Sequence, residues 1–157
     1  MSESAKHEST TVPDATVPDV SARTSAPDAA AAPGWTVVAV DHVQLAMPVG
    51  GEELARRFYV GSLGLVEVPK PPPLAARGGC WFERGHVRVH LGVEVDFVPA
   101  RKAHPALVVA GVDVLVGALE RTWGLSARWS DEIPGTRRCH VDDPFGNRIE
   151  LIEDPTW

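Results

Sequence analysis

Three histidines and one glutamate, each among β-branched and other apolar residues, have the side chains best suited to metal chemistry. They are His42 in DHVQL, His90 in VRVHL, His104 in HPAL and Glu150 in RIEL. Imidazole nitrogens and carboxylate oxygens bind zinc, iron, nickel, cobalt and manganese, and two histidines with one carboxylate form the iron site of non-haem oxygenases. A lone histidine on a strand is more often structural, so the hypothesis requires a fold that brings the four together.

Strand periodicity places all four side chains opposite the apolar faces of their predicted strands. Successive side chains of a strand point to opposite sides of the sheet. The apolar sides are expected to pack on helices, which leaves the histidines and the glutamate on the other, concave side. The apolar residues that alternate with them are Val43, Leu45, Val89, Leu91, Leu107, Val109, Ile149 and Leu151.

The chain also contains an internal repeat. His42 and His104 are 62 residues apart, Cys80 and Cys139 are 59 apart, and His90 and Glu150 are 60 apart. Short segments at these offsets are also similar: HVQL and HPAL, SLGL and TWGL, and VRVHL and NRIEL. Together they indicate a duplicated unit.

Each half reads as strand, helix and three strands, which predicts an α+β fold. The strands are expected at 36–47, LVEV, GCWFE, VRVHLGV, HPALVVAG, ARWS, RRCHVDD and RIELIE. The helices are expected to end near Gly64 and Gly124. The run Pro71–Pro73 is expected to be loop. Two tandem βαβββ modules would form a curved mixed sheet around a metal-binding cup.

Length and composition favour one domain, residues 35–157, after a disordered tail, residues 1–34, that lacks Leu, Ile, Phe, Trp and Tyr. The net charge of −6 argues against nucleic-acid partners. With neither a membrane-spanning run nor a secretory signal, we expect a cytoplasmic protein without a membrane partner. Two cysteines are too few for a disulfide framework, and Cys80 and Cys139 are expected to be small core residues.

The segments DHVQLAM, AHPALVV and DDPFGNRIELIE resemble the first, fifth and eighth strands of the vicinal oxygen chelate superfamily, which includes glyoxalases and extradiol dioxygenases. The resemblance covers about residues 36–154. It implies a divalent metal ion (Fe, Zn, Ni, Co or Mn) with His42, His90, His104 and Glu150 at the ligand positions. Glu150 and His90 would also be the catalytic residues, and His90 is either a fourth ligand or an acid–base group. The resemblance further implies a homodimer and a small-molecule substrate.

Three function classes remain open. The resemblance favours a glyoxalase-like lyase or isomerase, whose metal binds vicinal oxygens of a small substrate. An extradiol-type Fe(II) dioxygenase is the alternative, although RRCHVDD lacks the tyrosine that this family carries there, and the single tyrosine is Tyr59. A non-catalytic resistance protein that sequesters a ligand is the third class. His140 could approach the site from the neighbouring strand, and Arg88 and Arg148 share the parity of the ligand candidates.

Overall fold

The computed structural model describes residues 34–156, of which Ala39 onward belongs to one compact unit. The predicted disorder of residues 1–34 concerns a segment that, apart from Gly34, lies outside the described residues. None of the helices within residues 34–156 is long and apolar enough to cross a membrane.

Two modules of the same architecture follow one another. The first contains β1 (Val43–Pro48), α1 (Glu52–Tyr59), β2 (Val66–Val68), α2 (Pro72–Ala75), β3 (Cys80–Arg84) and β4 (Val87–Glu94). The second contains β5 (Ala106–Val109), α3 (Val112–Trp123), β6 (Arg128–Ser130), β7 (Arg138–Asp142) and β8 (Arg148–Glu153). The predicted α+β fold of tandem βαβββ modules is confirmed.

Each module forms its own four-stranded mixed sheet. The strand orders are β1-β4-β3-β2 and β5-β8-β7-β6. In each sheet the first strand runs parallel to the last, and the other pairs are antiparallel. The last strand of each module therefore lies between the first strand and the third, and its side chains have neighbours on both sides.

Two predicted elements differ from the structure. The first strand begins at Val43 rather than near residue 36, because its ladder with β4 starts there, so His42 lies just before the strand. The run Pro71–Pro73 is not loop throughout, since Pro72 and Pro73 open the short helix α2. Proline is tolerated in the first turn because the N–H that it lacks has no partner within the helix.

Helix α3 is limited by glycines and capped by a distant carboxylate. Gly111 and Gly124 flank it with φ of 81° and 65°, a left-handed conformation that favours glycine. The carboxylate of Glu153, on β8, accepts hydrogen bonds from the backbone N–H groups of Gly111 and Val112 at 2.9 and 2.7 Å. These bonds fasten the start of the helix to the sheet beneath it.

The apolar sides of the central strands β4 and β8 are buried with the helices, as the alternation predicted, and those of the edge strands β1 and β5 are mostly half-buried. Phe58 of α1 meets Trp123 of α3 edge to face, with ring centroids 5.6 Å apart. Cys80 and Cys139 are free, buried thiols within this core, which confirms the prediction made for them. Burial raises the pKa of both thiols, that of Cys80 to about 11.

Polar contacts join the two modules. The buried hydroxyl of Tyr59, on α1, donates to Oδ2 of Asp143 at 2.8 Å. Asn147 donates from Nδ2 to the same oxygen and to the carbonyl of Ala46, on β1. Asp143 and Asn147 belong to the DDPFGN turn between β7 and β8, so this segment ties the first module to the second.

Candidate metal centre

Strand register gathers three possible ligands on one face of the second sheet. Glu150 lies on β8, opposite His140 of β7 and beside Ala106 of β5. His104 precedes Ala106 by two residues. One ligand atom from each of His104, His140 and Glu150 lies within 4.8 Å of the others. This is a mixed nitrogen and oxygen donor set of the kind that binds divalent transition metals.

The contact between His104 and Glu150 brings two acceptor atoms together. Nδ1 of His104 lies 2.7 Å from the carbonyl oxygen of Lys102, and because that oxygen can only accept, Nδ1 carries the proton. Nε2 lies 3.2 Å from Oε2 of Glu150. In the neutral imidazole both of these atoms are acceptors, so a proton or a metal ion must lie between them.

The spacing of these two atoms fits a metal. If an ion lay about 2.1 Å from both Nε2 and Oε2, the angle between the two bonds would be about 100°. This value lies between the octahedral and the tetrahedral angle. The hydrogen bond from Nδ1 to a backbone carbonyl is also the usual support of a metal-binding histidine, because it fixes the tautomer and the ring. The residues present therefore fit a divalent ion.

Arg138 holds the other oxygen of Glu150. Its Nη1 donates to Oε1 at 2.5 Å, and its Nη2 bonds Ser130 and Glu132. Burial raises the pKa of Glu150, but the hydrogen bond from Arg138 and the contact with His104 outweigh it and hold that pKa below its ordinary value. Glu150 is thus an ionised, oriented carboxylate with Oε2 free of the guanidinium.

His140 is half-buried at the edge of this group. Burial is the largest of the effects that lower its pKa, which favours the neutral imidazole that ligates metals. Beside it an open cleft of about 340 Å³ is lined by residues that include Arg128 and Arg148. A larger cleft, about 690 Å³, meets the site only through Arg138 and Ser130.

The first module arranges its candidates differently. The ring of His90 is stacked between those of Trp81 and His42, with centroids 4.1 Å from each. The planes of His42 and His90 are only 21° apart. Because the lone pair of an imidazole nitrogen lies in the ring plane, two nearly parallel rings at this distance cannot both bind one ion. Burial, then the neighbouring His42, lower the pKa of His90.

The structure thus divides the four residues singled out in the sequence into two pairs. His104 and Glu150 lie together with His140, whereas His42 and His90 lie together with Trp81. Among residues 34–156, neither His42 nor His90 belongs to the group that could share an ion. Nδ1 of His42 lies 2.8 Å from Oδ1 of Asp41, a contact that orients the ring and leaves Nε2 as the nitrogen that could bind an ion.

Two residues next to Glu150, His140 and Arg138, were not among the four singled out in the sequence. His140 was a weak candidate, although its place on the strand next to Glu150 was available from the element order. Arg138 was not considered, and its parity with His140 in RRCHVDD was the missed signal. Arg88, in contrast, bonds Asp41 at 2.6 Å and lies on the first module.

Comparison with known proteins supports one family. No family model and no curated protein matches the chain. Among solved structures, a glyoxalase family protein from Bacillus anthracis is 45% identical, with 76% of this chain and 97% of that chain covered and a TM-score of 0.71.

More distant structures share the fold. The fosfomycin resistance protein FosX from Listeria monocytogenes is 12% identical, covering 76% and 95% of the two chains, with a TM-score of 0.61. An antibiotic-binding protein from a Streptomyces species is 23% identical, covering 74% and 98%, with a TM-score of 0.56. The 45% identity to the Bacillus anthracis protein and the two βαβββ modules support the same assignment. The chain belongs to the glyoxalase family of the vicinal oxygen chelate superfamily.

Proposed function

We propose that this protein is a metal-dependent, glyoxalase-like enzyme of the lyase or isomerase type, acting on a small substrate with vicinal oxygens. The observation that carries the proposal is the contact between Nε2 of His104 and Oε2 of Glu150. Nδ1 is committed to a carbonyl, so Nε2 and Oε2, 3.2 Å apart, could both be offered to one ion. The bound metal would supply Lewis acidity, polarising the substrate oxygens.

Each residue of the proposed site has a role. His104 and Glu150 hold the ion, and His42 is proposed as a further ligand. His90 is proposed as the acid–base group rather than a ligand, because its stacking on His42 keeps both rings from sharing an ion. The hydrogen bond from Arg138 orients Glu150 and keeps it ionised.

We further propose a homodimer. His42 lies outside the group formed by His104, His140 and Glu150 in the single chain. To bind the same ion, His42 must come from a second copy, or its stack with His90 must open. Two-fold symmetry would supply the first route, because each site could then take residues from both chains.

Mixing two variants tests the shared site. His42→Ala and Glu150→Ala are each expected to lose bound metal. When equal amounts are unfolded and refolded together, about a quarter of the sites should regain it, because half of the dimers are mixed and each has one intact site. A dimer in which no metal returns would contradict sharing, and a monomer mass by light scattering would contradict the dimer itself.

An extradiol-type Fe(II) dioxygenase is the second candidate. The two imidazoles and one carboxylate of the second module favour it, because that donor set is the iron site of non-haem oxygenases. Tyr59 argues against it, since its hydroxyl is buried and bonded to Asp143 and so cannot act at the site. A ligand-sequestering protein without chemistry is the third candidate.

Elemental analysis of protein purified without added metal separates these classes. Zinc, nickel or cobalt that is stable in air, with turnover of vicinal-oxygen substrates lost to a chelator and restored by the ion, is expected. Iron that is lost or oxidised in air would favour the dioxygenase. Metal bound without turnover of any such substrate would favour sequestration. Wild-type protein that binds no divalent ion would overturn the metal-dependent proposal.

His90 has its own test. Replacing His90 with alanine should leave the metal in place while turnover falls by roughly 10²–10⁴-fold, the usual scale for loss of an acid–base group. Metal loss as large as that of Glu150→Ala would instead make His90 a ligand.

A further inference from the structure

We propose that His140 is a further ligand of the ion, so that the second module alone supplies two imidazoles and one carboxylate. The inference rests on the proposed metal site of His104 and Glu150. It concerns a residue that lies on the strand beside the one that bears Glu150, and it needs no contribution from the first module.

The register of the sheet places His140 directly beside Glu150. His140 and Glu150 are directly opposite one another on β7 and β8, so their side chains emerge on the same face. On the other side of β8, Ala106 is the direct neighbour of Glu150, and His104 precedes it on the same face. The glutamate is thus the middle of a row with one histidine on each side.

Ring orientation allows both histidines to bind one ion. The rings of His104 and His140 have centroids 5.0 Å apart and planes at 82°. Nearly perpendicular planes intersect close to the rings, so lone pairs that lie in the two planes can converge on one point. The nearly parallel pair of His42 and His90 lacks this property.

The nitrogens of His140 are available. Both nitrogens of His104 have protein partners, but no group within residues 34–156 makes a hydrogen bond to the ring of His140. A half-buried imidazole that is held beside a carboxylate and has no protein partner is suited to an exogenous one.

Comparison of the two repeated modules shows that the set of two histidines and one glutamate belongs to the second module only. The first module places Trp81 opposite His90, at the position that His140 holds opposite Glu150. Trp81 stacks on its neighbour with planes 6° apart and offers no ligand. The two modules thus share a backbone plan, and the second alone carries the donor row.

Glu150 remains able to bind the proposed ion through Oε2. Arg138 bonds Oε1, which leaves Oε2 toward His104 and the proposed ion. His104, His140 and Glu150 would hold the ion, which would supply Lewis acidity to a substrate that chelates through vicinal oxygens.

Cobalt(II) binding to the full-length protein tests the proposal. The metal-free protein is titrated with Co²⁺ against a competing chelator, and the visible absorption of the bound ion is recorded. His140→Ala should weaken Co²⁺ binding by at least about tenfold, since even loss of an outer-shell partner costs that much, and should shift the absorption. His86→Ala, at an exposed turn, is the matched control and should match wild type.

The outcomes separate the two proposals. Wild-type affinity and an unchanged spectrum in His140→Ala would overturn the inference while leaving the metal function intact. Absence of Co²⁺ binding by wild type would overturn the metal function itself. His140→Gln, which keeps a polar side chain of similar size, guards against misfolding, and it should also weaken binding if its circular dichroism and melting match wild type.

Discussion

Replacing Asp143 with alanine is expected to destabilise the fold strongly. The carboxylate is 3% exposed and accepts four hydrogen bonds, from the buried hydroxyl of Tyr59, the backbone N–H groups of Phe145 and Asn147, and the side-chain amide of Asn147. Alanine leaves these donors facing a void. A buried donor without a partner costs about 1–3 kcal/mol.

The expected loss is smaller than the sum of these costs. The Asn147 amide keeps its bond to the carbonyl of Ala46, and removing the buried carboxylate also removes its own desolvation penalty. Burial, only partly offset by the hydrogen bonds, raises the pKa of Asp143, which reflects that penalty. We therefore expect a loss of about 2–4 kcal/mol in the free energy of unfolding.

Urea denaturation at neutral pH measures the loss, and the adjacent aspartate is the control. Asp142 pairs with Arg128 through a side chain that is 39% exposed, so Asp142→Ala should cost under about 1 kcal/mol. Tyr59→Phe should cost about 1–2 kcal/mol and should couple with Asp143→Ala in a double-mutant cycle. Equal losses for Asp142→Ala and Asp143→Ala would refute the reasoning.

Three further outcomes are expected. Glu153→Gln should lower the free energy of unfolding by about 1 kcal/mol, measured by urea denaturation, because the charged cap on Gly111 and Val112 is weakened, and an unchanged midpoint would contradict it. At pH 8, iodoacetamide should alkylate Cys80 roughly 100-fold more slowly in the folded protein than in urea, because burial raises its pKa from 9.0 to about 11 and thiolate is the reactive form. Equal rates would show that the site opens readily. Deleting residues 1–34 should leave melting temperature and metal content nearly unchanged, since their composition cannot support a core, and a large loss of either would show that they dock.

Periodicity and the repeat predicted the fold because both report local rules. Alternation placed Leu107, Val109, Ile149 and Leu151 toward the core side, and duplication supplied the order of the elements. The resemblance supplied the family. The loop predicted over Pro71–Pro73 was wrong from Pro72 onward, because the first turn of a helix needs no N–H and so accepts proline.

The site was harder to predict, because parity and element order give the face and the neighbouring strand of a side chain but not the register between the two strands. Pairing of β7 with β8 brings His140 to Glu150, a relation between residues ten positions apart that depends on register. The stacking of His42 on His90 depends on ring rotamers, which strand patterns do not specify. Arg138 was missed for the same reason, since its partner Glu150 lies on the neighbouring strand.

Anomalous diffraction from crystals of the zinc-loaded protein, recorded on both sides of the zinc absorption edge, tests the central claim most directly. We expect one strong peak per chain within bonding distance, about 2.0–2.2 Å, of Nε2 of His104 and Oε2 of Glu150. A peak elsewhere on the chain, or none at full zinc loading, would contradict the metal centre and the enzyme function proposed from it.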